Sequence, residues 1–235
     1  MTPVPVGSEA VIVVERCPLP HLRPDELSRL AAVAKRTNLR AGDTVFRKGD
    51  SGDCIMAVVR GRVKICTFSA DGRELVLNII GEGILFGEVA LLDGQPRTGD
   101  AVAIEDTALL TLERNRLVPF LTANPQIQGR LIAALCQRVR QTSEHLEDAL
   151  LRDASSRVAR GLLRLAGAFG KPEVDGIRLD IRLSQQQFGN LIGISRESIN
   201  KYLGDWSRAG HLSIKGGFIT IRNRDALDRI ADLAI

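Results

Sequence analysis

Five glycine-containing turn signals divide residues 38–112 into short runs of β-branched and apolar residues. The signals are Ala41-Gly42-Asp43, Lys48-Gly49-Asp50, Ser51-Gly52-Asp53, Asp71-Gly72 and Gly81-Glu82-Gly83. Short runs at this spacing are typical of antiparallel strands and leave no room for a long helix. The sequence therefore predicts an antiparallel β-barrel or jelly roll in this part of the chain.

Helical patterns lie on both sides of the β-rich region. Upstream, Pro24 starts a predicted helix of about a dozen residues that ends near Asn38. Downstream of Pro119, a long helix is predicted from about Pro125 to Leu151. Helices and strands thus occupy separate segments of the chain, which predicts an α+β fold.

The long helix carries a stripe of apolar or small residues at steps of three and four. The stripe consists of Ile127, Leu131, Leu135, Val139, Thr142, Leu146 and Ala149. Such a stripe either packs against the β-domain of its own chain or forms a coiled-coil seam with a second chain. The length of the helix, about 27 residues, favours the seam, and we expect a homodimer.

A helix-turn-helix pattern occupies residues 183–212. Ser184 can cap a first helix, Gly193 permits a tight turn, and Ser195 can cap a second helix. Two strands around residues 215–217 then predict a wing whose amides and lysine can meet phosphate. The outward face of the second helix offers residue types that hydrogen-bond to base edges, namely Arg196, Glu197, Asn200 and Lys201.

The positive charge of the chain is concentrated in its C-terminal third. The net charge is +4, from 32 Lys and Arg against 28 Asp and Glu. Residues 151–235 hold 14 basic and 9 acidic residues, whereas residues 1–150 hold 18 and 19. A surplus confined to the predicted helix-turn-helix favours a polyanionic partner such as double-stranded DNA.

The segment FGEVALLDGQPRTGD, residues 86–100, carries a carboxylate and a guanidinium around a tight turn. Gly87 opens a predicted short helix whose first amides attract an anion, and the turn brings Arg97 and Thr98 back towards them. Glu88 could accept a hydrogen bond from a ribose 2′-hydroxyl. These residues predict a small phosphorylated ligand, and a structural ion pair between Glu88 and Arg97 is the alternative.

The β-domain, long helix and winged helix-turn-helix together resemble the cyclic AMP receptor protein and fumarate-nitrate regulator family of bacterial transcription regulators. The resemblance covers roughly residues 19–221 and implies a cyclic-nucleotide-binding barrel followed by a dimerisation helix and a DNA-binding domain. It implies that the nucleotide is held by Gly87, Glu88, Arg97, Thr98, Thr142 and Ser143.

Each of these residues takes a role from the resemblance. Glu88 would hold the ribose 2′-hydroxyl, and Arg97 and Thr98 would hold the cyclic phosphate. Thr142 and Ser143, the latter from the partner chain, would meet the purine, although Thr142 could also serve as a polar residue in the seam. The segment between Glu88 and Arg97 is one residue shorter than in the enteric receptor protein, and Thr98 is typical of cyclic GMP sites. Cyclic GMP is therefore an alternative to cyclic AMP.

The second helix of the predicted helix-turn-helix resembles the reading helix of the same family. Arg196 and Glu197 match the family pattern, whereas Lys201 replaces an arginine and should discriminate less sharply between bases. The resemblance implies a TGTGA-like palindromic operator and contact with RNA polymerase. The implied DNA-binding residues are Gln186, Ser195, Arg196, Glu197, Ser198, Asn200, Lys201 and Lys215.

Several other functions find no support in the sequence. It contains no nucleophile–base pair, metal-ligand cluster or Walker loop, so we expect neither an enzyme nor a metal site. The four cysteines, which are far apart and expected to be reduced, are Cys17, Cys54, Cys66 and Cys136. No apolar run approaches the roughly 20 residues that span a bilayer. The N-terminus lacks the basic region of a signal peptide, so a cytoplasmic location is expected.

The expected organisation has four parts. An extension over residues 1–18 precedes the β-barrel domain at 19–124, the dimerisation helix at 125–152 and the winged helix-turn-helix domain at 153–235, with a hinge near residues 152–156. The expected function is that of a homodimeric regulator in which cyclic AMP favours the DNA-binding state. The alternatives are a response to cyclic GMP, or a nucleotide-independent family member with a vestigial ligand site.

Overall fold

The fold is that of a computed structural model, which describes residues 34–232. This part of the chain divides into two compact units. The first contains residues 34–73 and 77–138, and the second contains residues 139–232 together with Glu74–Val76. The predicted extension over residues 1–18 and the predicted start of a helix at Pro24 lie outside the described residues.

In the described part of the first unit, eight strands form two four-stranded sheets. The strands are β1 (Lys35–Leu39), β2 (Thr44–Phe46), β3 (Cys54–Arg60), β4 (Val63–Phe68), β5 (Glu74–Ile80), β6 (Leu85–Phe86), β7 (Asp100–Ala103) and β8 (Thr107–Glu113). One sheet has the order β1-β8-β3-β6 and the other β2-β7-β4-β5. These sheets do not close into a single barrel, and the jelly-roll form of the prediction is the correct one.

The core of this unit is formed by alternate residues of the strands. Met56, Val58, Val63, Ile80, Phe86, Ala101 and Leu109 make one buried cluster. Members of both sheets contribute, because every second side chain of a strand points to the same face. The packed sheets thereby fix the positions of the loops between β6 and β7.

The helix predicted to end near Asn38 is wrong over residues 35–39, which form the strand β1. The sequence predicts a helix that ends near Asn38, but Lys35–Leu39 is a strand paired with β8 in antiparallel register, Lys35 opposite Thr111. The free edge of β8 supplies backbone partners that a local sequence pattern does not reveal. Pairing across a sheet therefore overrides the helical pattern of this segment.

Three helices accompany these strands among the described residues of the first unit. They are α1 (Glu88–Asp93), α2 (Arg114–Ala123) and α3 (Pro125–Leu151), the last of which has the bounds predicted from the sequence and continues into the second unit. Ile127 and Leu131 of α3 are buried in a cluster with Leu117 and Leu121. The first part of the predicted stripe thus packs within its own unit, which corrects the assignment of these two positions to a seam between chains.

The second unit is a helical domain with a small sheet. Its elements are α4 (Ala154–Phe169), β9 (Gly170–Glu173), β10 (Gly176–Leu179), α5 (Gln185–Ile192), α6 (Arg196–Arg208), β11 (Leu212–Lys215), β12 (Phe218–Ile221) and α7 (Arg224–Ala231). The sheet order is β11-β12-β10-β9. The sequence predicts a loop over residues 172–180, but β9 and β10 form a hairpin there that extends the wing.

The helix-turn-helix forms as its capping residues predict. The side chain of Ser184 accepts from the amide of Gln187, whose side chain accepts in turn from the amide of Ser184, so a capping box begins α5. Gly193 ends α5 with φ 69°, in the left-handed region that favours glycine. Ser195 caps α6 through the amide of Ser198. The turn between the two helices is therefore determined by local residues.

A buried carboxylate holds the join between α3 and α4. Asp148, which is 3 % exposed, pairs with Arg164 and lies 2.7 Å from Nε of Arg160 and 3.3 Å from Nε of Arg152. The last two contacts are ion pairs by distance without hydrogen-bond alignment. Burial lowers the pKa of the neighbouring His145, and the charge of Arg164 lowers it further. One carboxylate thus ties the end of α3 to the second and third turns of α4.

We expect Asp148→Asn to destabilise the second unit by about 1–2 kcal/mol, because it leaves partly buried arginines without their carboxylate. Denaturant unfolding of the full chain measures this loss. Glu147→Gln is the matched control, since Glu147 is exposed on the same helix. Equal stability of the two variants would contradict the role assigned to Asp148.

Candidate functional site

Arg97 is a buried cation at the centre of the first unit's candidate site. Its side chain is 4 % exposed, and its guanidinium lies 4.4 Å from the ring centre of Phe46. Nη1 donates to the carbonyl of Gly87 at 2.6 Å and Nη2 to the carbonyl of Cys54 at 2.8 Å, whereas Nε has no partner. No carboxylate among residues 34–232 pairs with it. Because an unpaired buried charge is costly, this arrangement suits an anionic ligand.

Glu88 has a different partner from the one considered in the sequence. It is 3 % exposed, and its Oε1 accepts from Nη1 of Arg138, while Nη2 of Arg138 donates to the carbonyl of Leu85 at 3.1 Å. The alternative of a structural pair between Glu88 and Arg97 is therefore wrong. The second carboxylate oxygen, Oε2, is buried without a hydrogen-bond partner. It is an acceptor available to a hydroxyl group of a ligand.

Gly87 is required where these two side chains meet. Its φ is 80°, and a Cβ there would lie 2.7 Å from Nη1 of Arg97 and 2.9 Å from the terminal methyl of Met56. Any side chain would be strained by the backbone and would displace the guanidinium. Glycine at this position therefore allows Arg97 to reach the carbonyl of Gly87.

A cavity in the first unit joins these groups. Its lining residues are Phe46, Ile65, Phe86, Gly87, Glu88, Val89, Ala90, Arg97, Thr98, Gly99 and Arg138. Four residues predicted from the sequence, Gly87, Glu88, Arg97 and Thr98, thus share one cavity. A wall of apolar side chains, an orphaned donor and an orphaned acceptor suit a small molecule that carries both an anion and a hydroxyl.

Thr142 and Ser143 do not line this cavity. Both are exposed on α3 in the second unit. Thr142 follows Arg138 by four residues, about one helical turn, and Ser143 follows it by five. The hydroxyl of Ser143 donates to the carbonyl of Val139 at 3.1 Å. Their predicted contacts with a purine remain predictions.

The outer face of α6 carries the predicted base-reading side chains. Arg196, Glu197, Asn200 and Lys201 are all exposed. They stand above a buried face of the helix formed by Ile199, Leu203 and Trp206. Because one face of α6 is held by the core, the four polar side chains are displayed on a fixed helix surface.

Four further DNA-binding positions are predicted, of which Ser198, in the first turn of α6, is half-buried. Ser195 is exposed and donates from its hydroxyl to Ser198 at 3.1 Å. Gln186 is exposed on α5, where its amide nitrogen donates to Asn190 at 2.8 Å. Lys215 is exposed at the end of β11. Their contacts with DNA remain predictions.

The wing has a backbone geometry suited to a tight hairpin. Gly216 and Gly217 have φ values of 57° and 82°, and a two-residue turn with two positive φ values matches the twist of the flanking strands. Arg182 donates from Nη2 to the carbonyl of Gly216 at 2.9 Å, and its guanidinium lies 4.8 Å from the ring centre of Phe218. This arginine braces the wing and adds positive charge beside Lys215.

Sequence reasoning missed three residues of these sites. Arg138, Phe46 and Arg182 each act through a partner far away in the sequence. The one available signal for Arg138 is its position one helical turn before Thr142, on the same side of α3. Phe46 and Arg182 carry no signal that separates them from ordinary core and surface residues.

Two further observations on residues 34–232 concern membrane-spanning segments and metal sites. No helix in this region is long and apolar enough to cross a membrane. The same residues contain no group of three or more histidine, cysteine or acidic side chains that could hold a metal ion.

Comparison with known proteins adds to this geometry. Residues 36–124 match the family model of the cyclic nucleotide-binding domain, and residues 156–230 match that of the Crp-like helix-turn-helix domain. The chain is 34 % identical over 209 residues to the CRP-like cAMP-activated global transcriptional regulator of Mycobacterium tuberculosis, covering 88 % of this chain and 93 % of that protein.

Two further similarities extend over most of the chain. The cyclic AMP receptor protein of Thermus thermophilus is 30 % identical over 215 residues, covering 91 % of this chain and 96 % of that protein. The structure of FixK2 from Bradyrhizobium japonicum superimposes with a TM-score of 0.78 at 23 % identity, covering 86 % of this chain and all of that chain. The last similarity concerns the fold.

Proposed function

Because the chain belongs to the cyclic AMP receptor protein and fumarate-nitrate regulator family of bacterial transcription regulators, we propose that it is a homodimer whose binding to a palindromic operator is switched on by a cyclic nucleotide. Cyclic AMP is the proposed effector. The family is one of DNA-binding regulators and not of enzymes. RNA polymerase is the proposed partner of the DNA-bound dimer.

The observation that carries the proposal is the unpaired guanidinium of Arg97 beside the orphaned oxygen of Glu88. A cyclic phosphodiester would supply the anion that Arg97 lacks, with Thr98 as an additional hydroxyl at the same cavity wall. A ribose 2′-hydroxyl could donate to Oε2 of Glu88. A cyclic nucleotide carries both groups on one ring system, so a single small molecule satisfies both orphaned atoms.

A second copy of the chain is the proposed partner of α3. Ile132, Val139, Leu146 and Leu150 are 55–72 % exposed on this helix. Ile132, Val139 and Leu146 follow one another at intervals of seven residues, the repeat of a coiled-coil seam. Exposed apolar residues in this pattern support a seam between two copies, which shares Val139 and Leu146 with the predicted stripe and adds Ile132 and Leu150.

The proposed switch uses residues on both sides of the seam. Arg97 and Glu88 would hold the phosphate and ribose, and Thr142 with Ser143 of the partner subunit would contact the purine. The effector must favour the DNA-binding state, because equal affinity for both states shifts nothing. In that state the two copies of α6 would stand about 34 Å apart, one turn of duplex DNA.

Cyclic GMP is the second candidate effector, and Thr98 is the residue that favours it. Thr98 is exposed at the cavity wall, where its hydroxyl is available to a ligand. Titration of the purified full-length protein with each nucleotide, read out by binding to a duplex with a TGTGA-like palindrome, separates the candidates. Operator binding that is equally strong without nucleotide would instead identify a constitutive regulator.

Phe46→Leu is expected to weaken cyclic nucleotide binding about fivefold, because the ring lies against the guanidinium of Arg97 and contributes about 1 kcal/mol to its placement. Isothermal titration calorimetry measures the change. Phe68→Leu is the matched control, since Phe68 is 52 % exposed and does not line the cavity. An unchanged affinity of Phe46→Leu would show that the ring does not position Arg97.

A further inference from the structure

One cysteine contacts the guanidinium of the proposed anion site. Nη2 of Arg97 is 3.3 Å from Sγ of Cys54, and the same nitrogen donates to the carbonyl of Cys54. The thiol itself contacts Sδ of Met56 at 3.6 Å. Cys54 carries a free thiol and is half-buried at the start of β3.

The burial and the unsatisfied hydrogen-bonding of Arg97 also favour an anion at this thiol. The guanidinium is 4 % exposed, its Nε lacks a hydrogen-bond partner, and no carboxylate of the described residues pairs with it. A negative charge formed on the Cys54 side chain would therefore meet a preplaced cation. Cys136, in contrast, is exposed on α3. It serves as the reference thiol with which the reactivity of Cys54 is compared.

We propose that Cys54 is a site of reversible oxidation by hydroperoxides, and that its oxidised form blocks the anion site. Hydrogen peroxide transfers one oxygen atom to Sγ: the O–O bond breaks, an S–O bond forms, and Cys54–SH with H2O2 gives Cys54–SOH with H2O. The sulfur loses two electrons and the peroxide gains them. Loss of the proton to solvent leaves a sulfenate anion.

Oxidation of Cys54 would affect the binding of the nucleotide. The sulfenate oxygen pairs with the guanidinium of Arg97 and supplies the anion that the ligand phosphate would otherwise supply. Oxidation then lowers the affinity for cyclic nucleotide, and a thiol reductant restores it by returning Cys54 to the thiol. This consequence rests on the proposed function, whereas the oxidation of Cys54 does not.

The oxidation is tested on the full-length protein without nucleotide. Reduced protein is exposed to hydrogen peroxide with dimedone, which traps sulfenic acids, and mass spectrometry compares the labelling of Cys54 with that of Cys136. We expect Cys54 to be labelled preferentially, and Arg97→Gln to lose this preference while Cys136 is labelled as before. Labelling of Cys54 that does not exceed that of Cys136, or that does not depend on Arg97, overturns the proposal.

The effect on ligand binding is tested separately by calorimetry with cyclic AMP. Each variant is compared before and after peroxide, so that its reduced form is its own reference. We expect the Cys136→Ser protein to lose affinity about tenfold or more, and Cys54→Ser to lose none. Unchanged affinity in protein whose Cys54 is oxidised overturns the blocking step. If the reduced protein binds neither cyclic nucleotide, the proposed function fails, and the dimedone result still decides whether Cys54 is oxidised.

Discussion

Arg97→Gln should abolish cyclic nucleotide binding and leave the fold intact. The neutral amide cannot supply the charge-assisted hydrogen bonds that a phosphodiester requires, and two such bonds correspond to a loss of affinity of about a hundredfold or more. The variant should be about as stable as the parent, because relief of a buried charge without a carboxylate partner among the described residues offsets the loss of the two hydrogen bonds to the carbonyls of Gly87 and Cys54. Calorimetry and thermal unfolding measure the two effects.

Arg62→Gln is the matched control for this prediction. Arg62 pairs with Glu105 at 2.6 Å in the same unit but does not line the cavity. It should keep the parent affinity for nucleotide and lose some stability. Wild-type affinity of the Arg97→Gln protein would refute the assignment of the anion site. A large loss of stability in Arg97→Gln would show instead that the guanidinium is a structural cation.

Arg196→Ala should weaken binding to the palindromic operator by about 1–3 kcal/mol and leave binding to random duplex DNA nearly unchanged. Arg196 is exposed in the first turn of α6, and the buried opposite face of this helix holds it in a fixed orientation. A planar guanidinium can donate two hydrogen bonds to one guanine, whereas alanine offers none. Fluorescence anisotropy with matched specific and random duplexes measures the difference.

Lys215→Ala provides the contrast, because a wing lysine is expected to contact phosphate. It should weaken binding to both duplexes by a similar factor and reduce the slope of affinity against salt concentration by about one. Equal losses on specific and random DNA for Arg196→Ala would reassign Arg196 to the phosphate backbone. Comparison of the two variants thus distinguishes a hydrogen bond to a base from an electrostatic contact with the phosphate backbone.

The predictions for Arg97 and Arg196 address different units of the chain. Arg97 belongs to the jelly-roll unit and Arg196 to the helical unit. Arg97→Gln should therefore lose the response to nucleotide while its reading helix is unaltered, and Arg196→Ala should bind nucleotide with the parent affinity. Because the nucleotide switches operator binding on, Arg97→Gln should also lose operator binding in its presence, whereas Arg196→Ala should lose only operator binding. Thermal unfolding distinguishes either loss from a loss of the fold.

Several features could be predicted from the sequence because local residues determine them. Ser184, Gly193 and Ser195 specify the caps and turn of the helix-turn-helix, and each acts on backbone groups only a few residues away. The bounds of α3 follow from its uninterrupted periodicity after Pro125. The turn-rich segment before it specifies strands, although the sequence alone does not distinguish two open sheets from a closed barrel.

Tertiary structure decided the features that depend on distant partners. The sequence places Glu88 and Arg97 near each other, but Glu88 pairs with Arg138, fifty residues later, and Arg97 is left with neutral partners. The strand at Lys35–Leu39 forms because it pairs with the edge of β8. The hairpin at residues 170–179 forms because its second strand, β10, pairs with β12. Local patterns determine which backbone conformations a segment prefers. Which charge is neutralised, and which is left for a ligand, depends on the segments that packing brings together.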